Sequence, residues 1–206
     1  VPSVERTPRD LTPELRKAVN CKEGCEWCGR SLKPIQSEAL TAIREANGML
    51  GPIGVGHGKT AIACLAGAVL GAKFVIVLTR KVLIPALEAT FLMLRRHFRF
   101  PEGFALLPMA YSQLSRPESS SKLDQIAKRY APGDTVDVAA EAHALANADT
   151  ATVRRFRRFF EACPARFVAL SGTITQKSVA DYAHLSEQAL GRYSPVPRPS
   201  KSKDEV

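Results

Sequence analysis

The ten residues Gly51-Pro52-Ile53-Gly54-Val55-Gly56-His57-Gly58-Lys59-Thr60 constrain this chain more than any other stretch. Glycine takes positive φ without a steric penalty, so a glycine-rich run can turn its backbone N–H groups inward as a ring. A helical-looking run, Ala61 to Leu70, follows at once. A helix N-terminus adds unpaired N–H groups and the positive end of its dipole. Together these features cradle phosphate oxygens. Gly54, Gly56, His57 and Gly58 would supply the loop, Lys59 would reach the β- and γ-phosphates, and Thr60 would place its hydroxyl on Mg²⁺. The strict pattern asks for a small residue five places before Gly58, where this chain has Ile53. The competing reading is a glycine-rich turn with an unrelated Lys-Thr after it. The loop-then-helix context argues against that reading.

The segments around the loop alternate in period. Pro34 can open a helix as a first-turn proline; that helix runs from about Ile35 to Ala46 and ends at Gly48. Met49-Leu50 is a candidate buried strand leading into the loop. Gly71 caps the helix after the loop. Phe74-Val75-Ile76-Val77-Leu78 is a continuous apolar run of the kind buried on both faces of a sheet. Leu83, Leu87, Phe91, Leu94 and Phe98 recur at helical spacing, with Arg95, Arg96 and Arg99 at the end. Further strands are predicted over Phe104 to Ala110, Val136 to Ala140 and Phe167 to Leu170. Helices are predicted over Pro13 to Val19, Lys122 to Tyr130, Thr150 to Cys163 and about Lys177 to Leu190. Strands alternating with helices predict an α/β fold with a parallel sheet covered on both faces. Ligands of such sheets bind at the carboxyl ends of the strands. Here those ends read Thr79, Glu141 and Ser171-Gly172-Thr173.

The chain has 206 residues and a formal net charge of +9, with a pI of about 9.6. A basic balance of this size points to an anionic partner, nucleic acid being the commonest; ordinary solubility is the competing account. No apolar run approaches membrane-spanning length, and Val1-Pro2-Ser3-Val4-Glu5-Arg6 does not read as a signal peptide. The expected setting is therefore reducing and cytoplasmic. Of five cysteines, Cys64 and Cys163 sit in apolar helical contexts and read as core. Cys21-x3-Cys25-x2-Cys28 can begin a zinc site, which wants four ligands. No nearby fourth Cys or His is evident in the sequence. Three reduced thiols in a surface loop are the competing reading; an iron–sulfur cluster fits poorly beside a phosphate loop.

The motifs, taken in order, resemble the first RecA-like domain of a superfamily 2 helicase or translocase, closest to the DEAH-box-like, Snf-type motors carried by some bacteriophages. Leu32-Lys33-Pro34-Ile35-Gln36 resembles the adenine-reading glutamine motif, and Gly54 to Thr60 resembles motif I. Leu78-Thr79-Arg80 sits where motif Ia contacts the nucleic-acid backbone. Tyr111-Ser112-Gln113-Leu114 resembles the segment near motif Ib. Ala140-Glu141-Ala142-His143 resembles motif II, and Ser171-Gly172-Thr173 resembles motif III.

The resemblance implies a RecA-like P-loop NTPase domain over 32–193; residues 1–31 read as an N-terminal extension with the cysteine loop, and 194–206, rich in Pro, Ser and Lys, as a disordered tail. It implies ATP and Mg²⁺ as cofactors, with Lys59 and Glu141 catalytic and Gln36 reading adenine. Thr79, Arg80 and Ser112 would touch the DNA backbone with little sequence preference. His143, Ser171 and Thr173 would couple the nucleotide to DNA grip. For a phage-encoded protein the setting would be the bacterial cytoplasm.

Two departures qualify this. The family writes motif II as Asp-Glu-Ala-His, and this chain has Ala140 in place of the Asp that helps hold Mg²⁺. Glu141, which would orient the attacking water, is retained. Asp137 is three residues upstream on a strand and projects to the opposite face, so it is no substitute. These motors also hydrolyse ATP between two RecA-like domains, so the expectation is that the chain is a fragment or that a partner supplies the other half. A non-catalytic nucleotide-binding or interaction module is the alternative of a different class. A P-loop kinase of small molecules is a third, disfavoured by Glu141-Ala142-His143.

Overall fold

Five apolar runs become the five strands of one sheet. A computed structural model of the chain describes residues 9–19, 21, 23, 25–114, 125–126, 128–129, 131–147, 150–173 and 179–196. The strands are β1 (Met49–Pro52), β2 (Phe74–Thr79), β3 (Ala105–Ala110), β4 (Thr135–Ala140) and β5 (Arg166–Ser171). All pairings are parallel, in the order β1-β5-β4-β2-β3. The helices are α1 (Thr12–Leu15), α2 (Pro34–Ala46), α3 (Lys59–Val69), α4 (Ile84–His97), α5 (Tyr111–Leu114), α6 (Ala151–Ala162) and α7 (Ala183–Leu190).

Alternation along each central strand divides the core in two. Val75, Val77, Val136, Val138, Val168 and Leu170 pack with Leu40, Ile43, Ile62, Leu65 and Leu94 of α2, α3 and α4. Phe74, Ile76, Leu78, Ala139, Phe167 and Ala169 pack with Leu114, Val153, Phe156, Phe159 and Leu185 of α5, α6 and α7. The expected parallel sheet with helices on both faces is the observed fold, and burial on both faces explains why these strands read as unbroken apolar runs.

Local chemistry shifts several predicted boundaries. The helix expected over Pro13 to Val19 stops at Leu15, because Arg16 goes into an extended bridge with Phe98. Helix α2 is ended by Asn47, which takes the left-handed conformation at φ 56°, rather than by Gly48. Strand β1 is a half-buried edge strand, and Pro52 is tolerated there because an edge needs no donor on its free side. Thr150 caps α6 by accepting from the Val153 N–H at 3.2 Å. Most of the helix predicted over Lys122 to Tyr130, and the start of the one predicted from Lys177, lie outside the described residues.

The described part of the expected N-terminal extension is packed on the domain: Leu11, Leu15 and Leu32 belong to the first core. Of the tail expected to be disordered from Ser194, residues 194–196 are described, and the Ser194 hydroxyl donates to Ser186 at 2.7 Å on α7; residues 197–206 lie outside the described ones.

Gly48 lies where two backbones close in. A Cβ there would stand 2.1 Å from the Ala189 carbonyl oxygen and 2.9 Å from that of Phe167. Neither atom belongs to a side chain that can rotate away. Gly48→Ala is expected to destabilise the fold by about 3 kcal/mol, read as a lowered urea midpoint; an unchanged midpoint would mean that β1 and α7 separate freely.

Candidate functional site

The glycine loop leaves the carboxyl end of β1 and enters α3, as its spacing predicts. Gly56 and Gly58 have φ of 81° and 77°, and Gly58 is the residue at the helix cap. A side chain at Gly58 would also collide with the Gln36 amide at 2.2 Å. Ile53, the departure from the strict pattern, turns its side chain into the core. Its carbonyl remains in the loop and accepts from Lys59 Nζ at 3.2 Å; the Gly54 carbonyl accepts at 3.4 Å. The loop uses the backbone of this position, so a buried isoleucine is accommodated.

Lys59 faces Glu141, with Nζ 3.6 Å from the carboxylate and both side chains partly buried. Glu141 follows β4 directly and is left-handed at φ 70°. Consecutive strand residues point to opposite faces. The left-handed turn is a conformation that costs a non-glycine residue about 1 kcal/mol or more, and it brings Glu141 to the same cleft as Ala140. Buried Tyr111 fixes this corner by donating its hydroxyl to the Ala140 carbonyl at 2.9 Å; burial pushes its ionisation well above the usual tyrosine range. Gly56, Gly58, Lys59, Thr60, Ala140 and Glu141 all line one cleft of about 360 Å³.

A polar chain continues from Glu141. His143 Nδ1 is 3.5 Å from the Glu141 carboxylate and 3.3 Å from Ser171 Oγ. Ser171 Oγ is 3.4 Å from Thr173 Oγ1 and accepts the Thr173 N–H at 3.3 Å. The Arg80 guanidinium is 3.0 Å from His143 Nε2. A guanidinium only donates, so Nε2 is the acceptor and the ring proton sits on Nδ1, facing Ser171 and Glu141.

Gln36 is buried against the loop. Its Oε1 accepts the Lys33 N–H at 2.9 Å and its Nε2 donates to the Gly58 carbonyl at 3.3 Å. Lys33 Nζ donates to the Gly56 carbonyl at 3.1 Å. His57 is exposed, with its ring folded over Gly54. Among the residues expected to meet nucleic acid, Arg80 and Ser112 are exposed. Thr79 is buried and lines the cleft, so it faces the cleft rather than an outer surface. Arg154, Arg157 and Arg158 are exposed on α6, away from the cleft lining.

The cysteine loop makes a second cluster. Cys21, Cys25 and Cys28 come together with His97, the last residue of α4; their ligand atoms all lie within 4.8 Å of one another. His97 Nε2 is 3.4 Å from Cys21 Sγ and 3.3 Å from Cys25 Sγ. The hydrogen bond to His97 lowers the Cys25 thiol to about 6, while its contact with Cys21 raises Cys28 to about 11. The fourth member was missed in the sequence because it lies on another element. The only signal for it was a histidine ending an amphipathic helix, on the edge of the apolar stripe.

No helix among the described residues is long and apolar enough to cross a membrane. Compared with known proteins, the sequence matches no family model and no curated protein.

Proposed function

We propose that the chain binds ATP in this cleft and serves as the nucleotide-binding part of a DNA motor of the superfamily 2 type. The observation that carries the reading is the convergence of Lys59, Thr60 and Glu141 on one cleft from α3 and the end of β4. Lys59 rests on two loop carbonyls and one carboxylate. A triphosphate entering the loop would take over its ammonium group and free Glu141 to orient a water molecule. His143, Ser171 and Thr173 would carry the change in Glu141 towards the surface that grips DNA. Exposed Arg80 and Ser112 and the net charge of +9 support contacts to phosphates, with little sequence preference.

ATP with Mg²⁺ supplies the phosphoryl group and the cation that neutralises its charge. The residues fit the triphosphate well and the metal only in part. Thr60 offers a hydroxyl, but Ala140 offers a methyl group where a carboxylate would help hold the metal. That favours, as a second reading, a non-catalytic nucleotide-binding module. Val55 and Val82, 84% and 80% exposed, flank Gly56 and Leu83 of the cleft lining. They give its rim an apolar surface that a second RecA-like domain or a partner protein would cover.

Titration with a fluorescent ATP analogue, alongside ATP turnover with and without DNA, tests both readings. Lys59→Ala should weaken nucleotide binding at least ~10-fold, since a hydrogen bond to a charged group contributes ~1.5–3 kcal/mol. Equal affinity in the variant would sink the phosphate-loop reading. Tight binding with no DNA-stimulated turnover would favour the non-catalytic module.

A further inference from the structure

We infer that Cys21, Cys25, Cys28 and His97 form a zinc site that staples the N-terminal segment to the end of α4. Three soft sulfur donors and one imidazole are a closed tetrahedral donor set for zinc, with no position left for a substrate. Zinc–sulfur bonds near ~2.3 Å and zinc–nitrogen bonds near ~2.05 Å put sulfur and nitrogen roughly 3.6 Å apart and two sulfurs roughly 3.8 Å apart. The two sulfur–nitrogen separations here are 3.4 and 3.3 Å. The whole set is drawn within 4.8 Å. The two sulfur–nitrogen pairs would shift by a few tenths of an ångström on binding, and the widest pair would close by up to about 1 Å.

The histidine is oriented for the task. His97 Nδ1 lies 2.9 Å from the Met93 carbonyl one turn back, so it carries the proton, and the Nε2 lone pair faces the thiols. The imidazole is 3% exposed, and the Trp27 ring lies beside it with centroids 6.4 Å apart. The backbone holds both sides of the cluster. The Lys17 N–H donates to the His97 carbonyl at 2.9 Å, and the Arg99 N–H donates to Leu15 at 2.7 Å. Arg16 donates to the Trp27 carbonyl at 2.6 Å and also bonds the Arg30 carbonyl. Its guanidinium lies 5.2 Å from the Phe98 ring centroid. The donors are thus preorganised from two segments far apart in sequence, and a metal would close the long loop between them.

The test uses the whole chain and needs no nucleotide, so it stands or falls apart from the ATP reading. Protein purified without chelator should carry one zinc per chain by elemental analysis. Stripping the metal should lower the melting temperature and speed protease cleavage near residues 17–30. Cobalt(II) exchanged into the site should show thiolate-to-cobalt charge transfer and the intense visible bands of a tetrahedral centre. His97→Ala should bind cobalt at least tenfold more weakly with an altered spectrum, and Cys25→Ser likewise. If either variant fails to fold, metal content and cobalt spectrum of the unaltered chain still decide. A chain that holds no zinc, takes up no cobalt and melts the same with or without added metal would overturn the proposal. So would a disulfide among the three cysteines, or a cobalt spectrum unchanged in His97→Ala.

Discussion

Ala140→Asp is expected to raise Mg²⁺-dependent ATP turnover on the order of 10- to 100-fold, the usual scale for groups that support a bound metal. Ala140 lines the cleft with Lys59, Thr60 and Glu141, so a carboxylate at this position is expected to reach the space beside Thr60. Tyr111 already holds the Ala140 carbonyl, and the left-handed Glu141 keeps its carboxylate in the cleft without help from residue 140. The substitution therefore adds a metal-supporting oxygen and leaves the corner intact. The check is steady-state turnover with and without DNA for the native chain, Ala140→Asp, and Ala140→Asp with Glu141→Gln. The double variant should lose the gain if Glu141 orients the water as proposed. Should Ala140→Asp bind ATP and turn over no faster, residue 140 is not what limits hydrolysis, and the missing element is a covering domain or partner. DNA-dependent turnover by the native chain would show that Thr60 and the phosphates suffice for the metal.

Asp137 is expected to make the fold less stable as pH rises from about 4 to about 8. Its carboxyl is 1% exposed, and neither oxygen has a hydrogen-bond partner. It pairs in register with Ile76 on β2 and Phe167 on β5, among the apolar residues of the second core. Burial without a compensating donor pushes its ionisation from the usual 3.8 up to about 8. The sign follows from proton binding. Below pH 4 both folded and unfolded chains hold the proton. Between 4 and 8 the unfolded chain releases it while the folded chain keeps it, so each step up in pH favours unfolding. Above about 8 both forms are ionised and the loss is complete. A displacement of about four pH units at ~1.36 kcal/mol per unit is on the order of 5 kcal/mol, a large share of a domain's stability. Asp137→Asn keeps the shape and removes the titration. Its advantage over the native chain should be small at pH 5 and grow steadily to pH 8 in urea denaturation. Parallel stability profiles for the two proteins would mean that Asp137 is solvated or paired in solution.

Asp137 shows how far local pattern reaches. Strand alternation alone sets it on the face opposite Ala140, and the structure has it there. Its lack of a partner is decided by Ile76, Phe167 and the helices over that face, which are distant in sequence. Cys28 and His97 make the same point from the other side: the thiols are legible as an incomplete ligand set, and the fourth donor arrives only when α4 ends against the N-terminal segment. Arg16 leaves its predicted helix for a related reason, because pairing with Phe98 outweighs a weak local preference.

By itself the sequence determined whatever depends on near neighbours. Glycines at fixed spacing before Lys59 and Thr60 specify a loop entering a helix. Unbroken apolar runs specify strands covered on both faces, and three- and four-residue spacing specifies α4. Only the tertiary structure decided the insertion of β5 between β1 and β4, which carries Ser171 to within hydrogen-bonding distance of His143. It alone set the left-handed turn at Glu141, the contact of Gln36 with the Gly58 carbonyl, and the meeting of His97 with three cysteines. Backbone propensity and periodicity act over a few residues and are written locally. Strand order, the partnering of buried polar groups and the assembly of ligands depend on which distant segments share one core, and that is settled only when the whole chain packs.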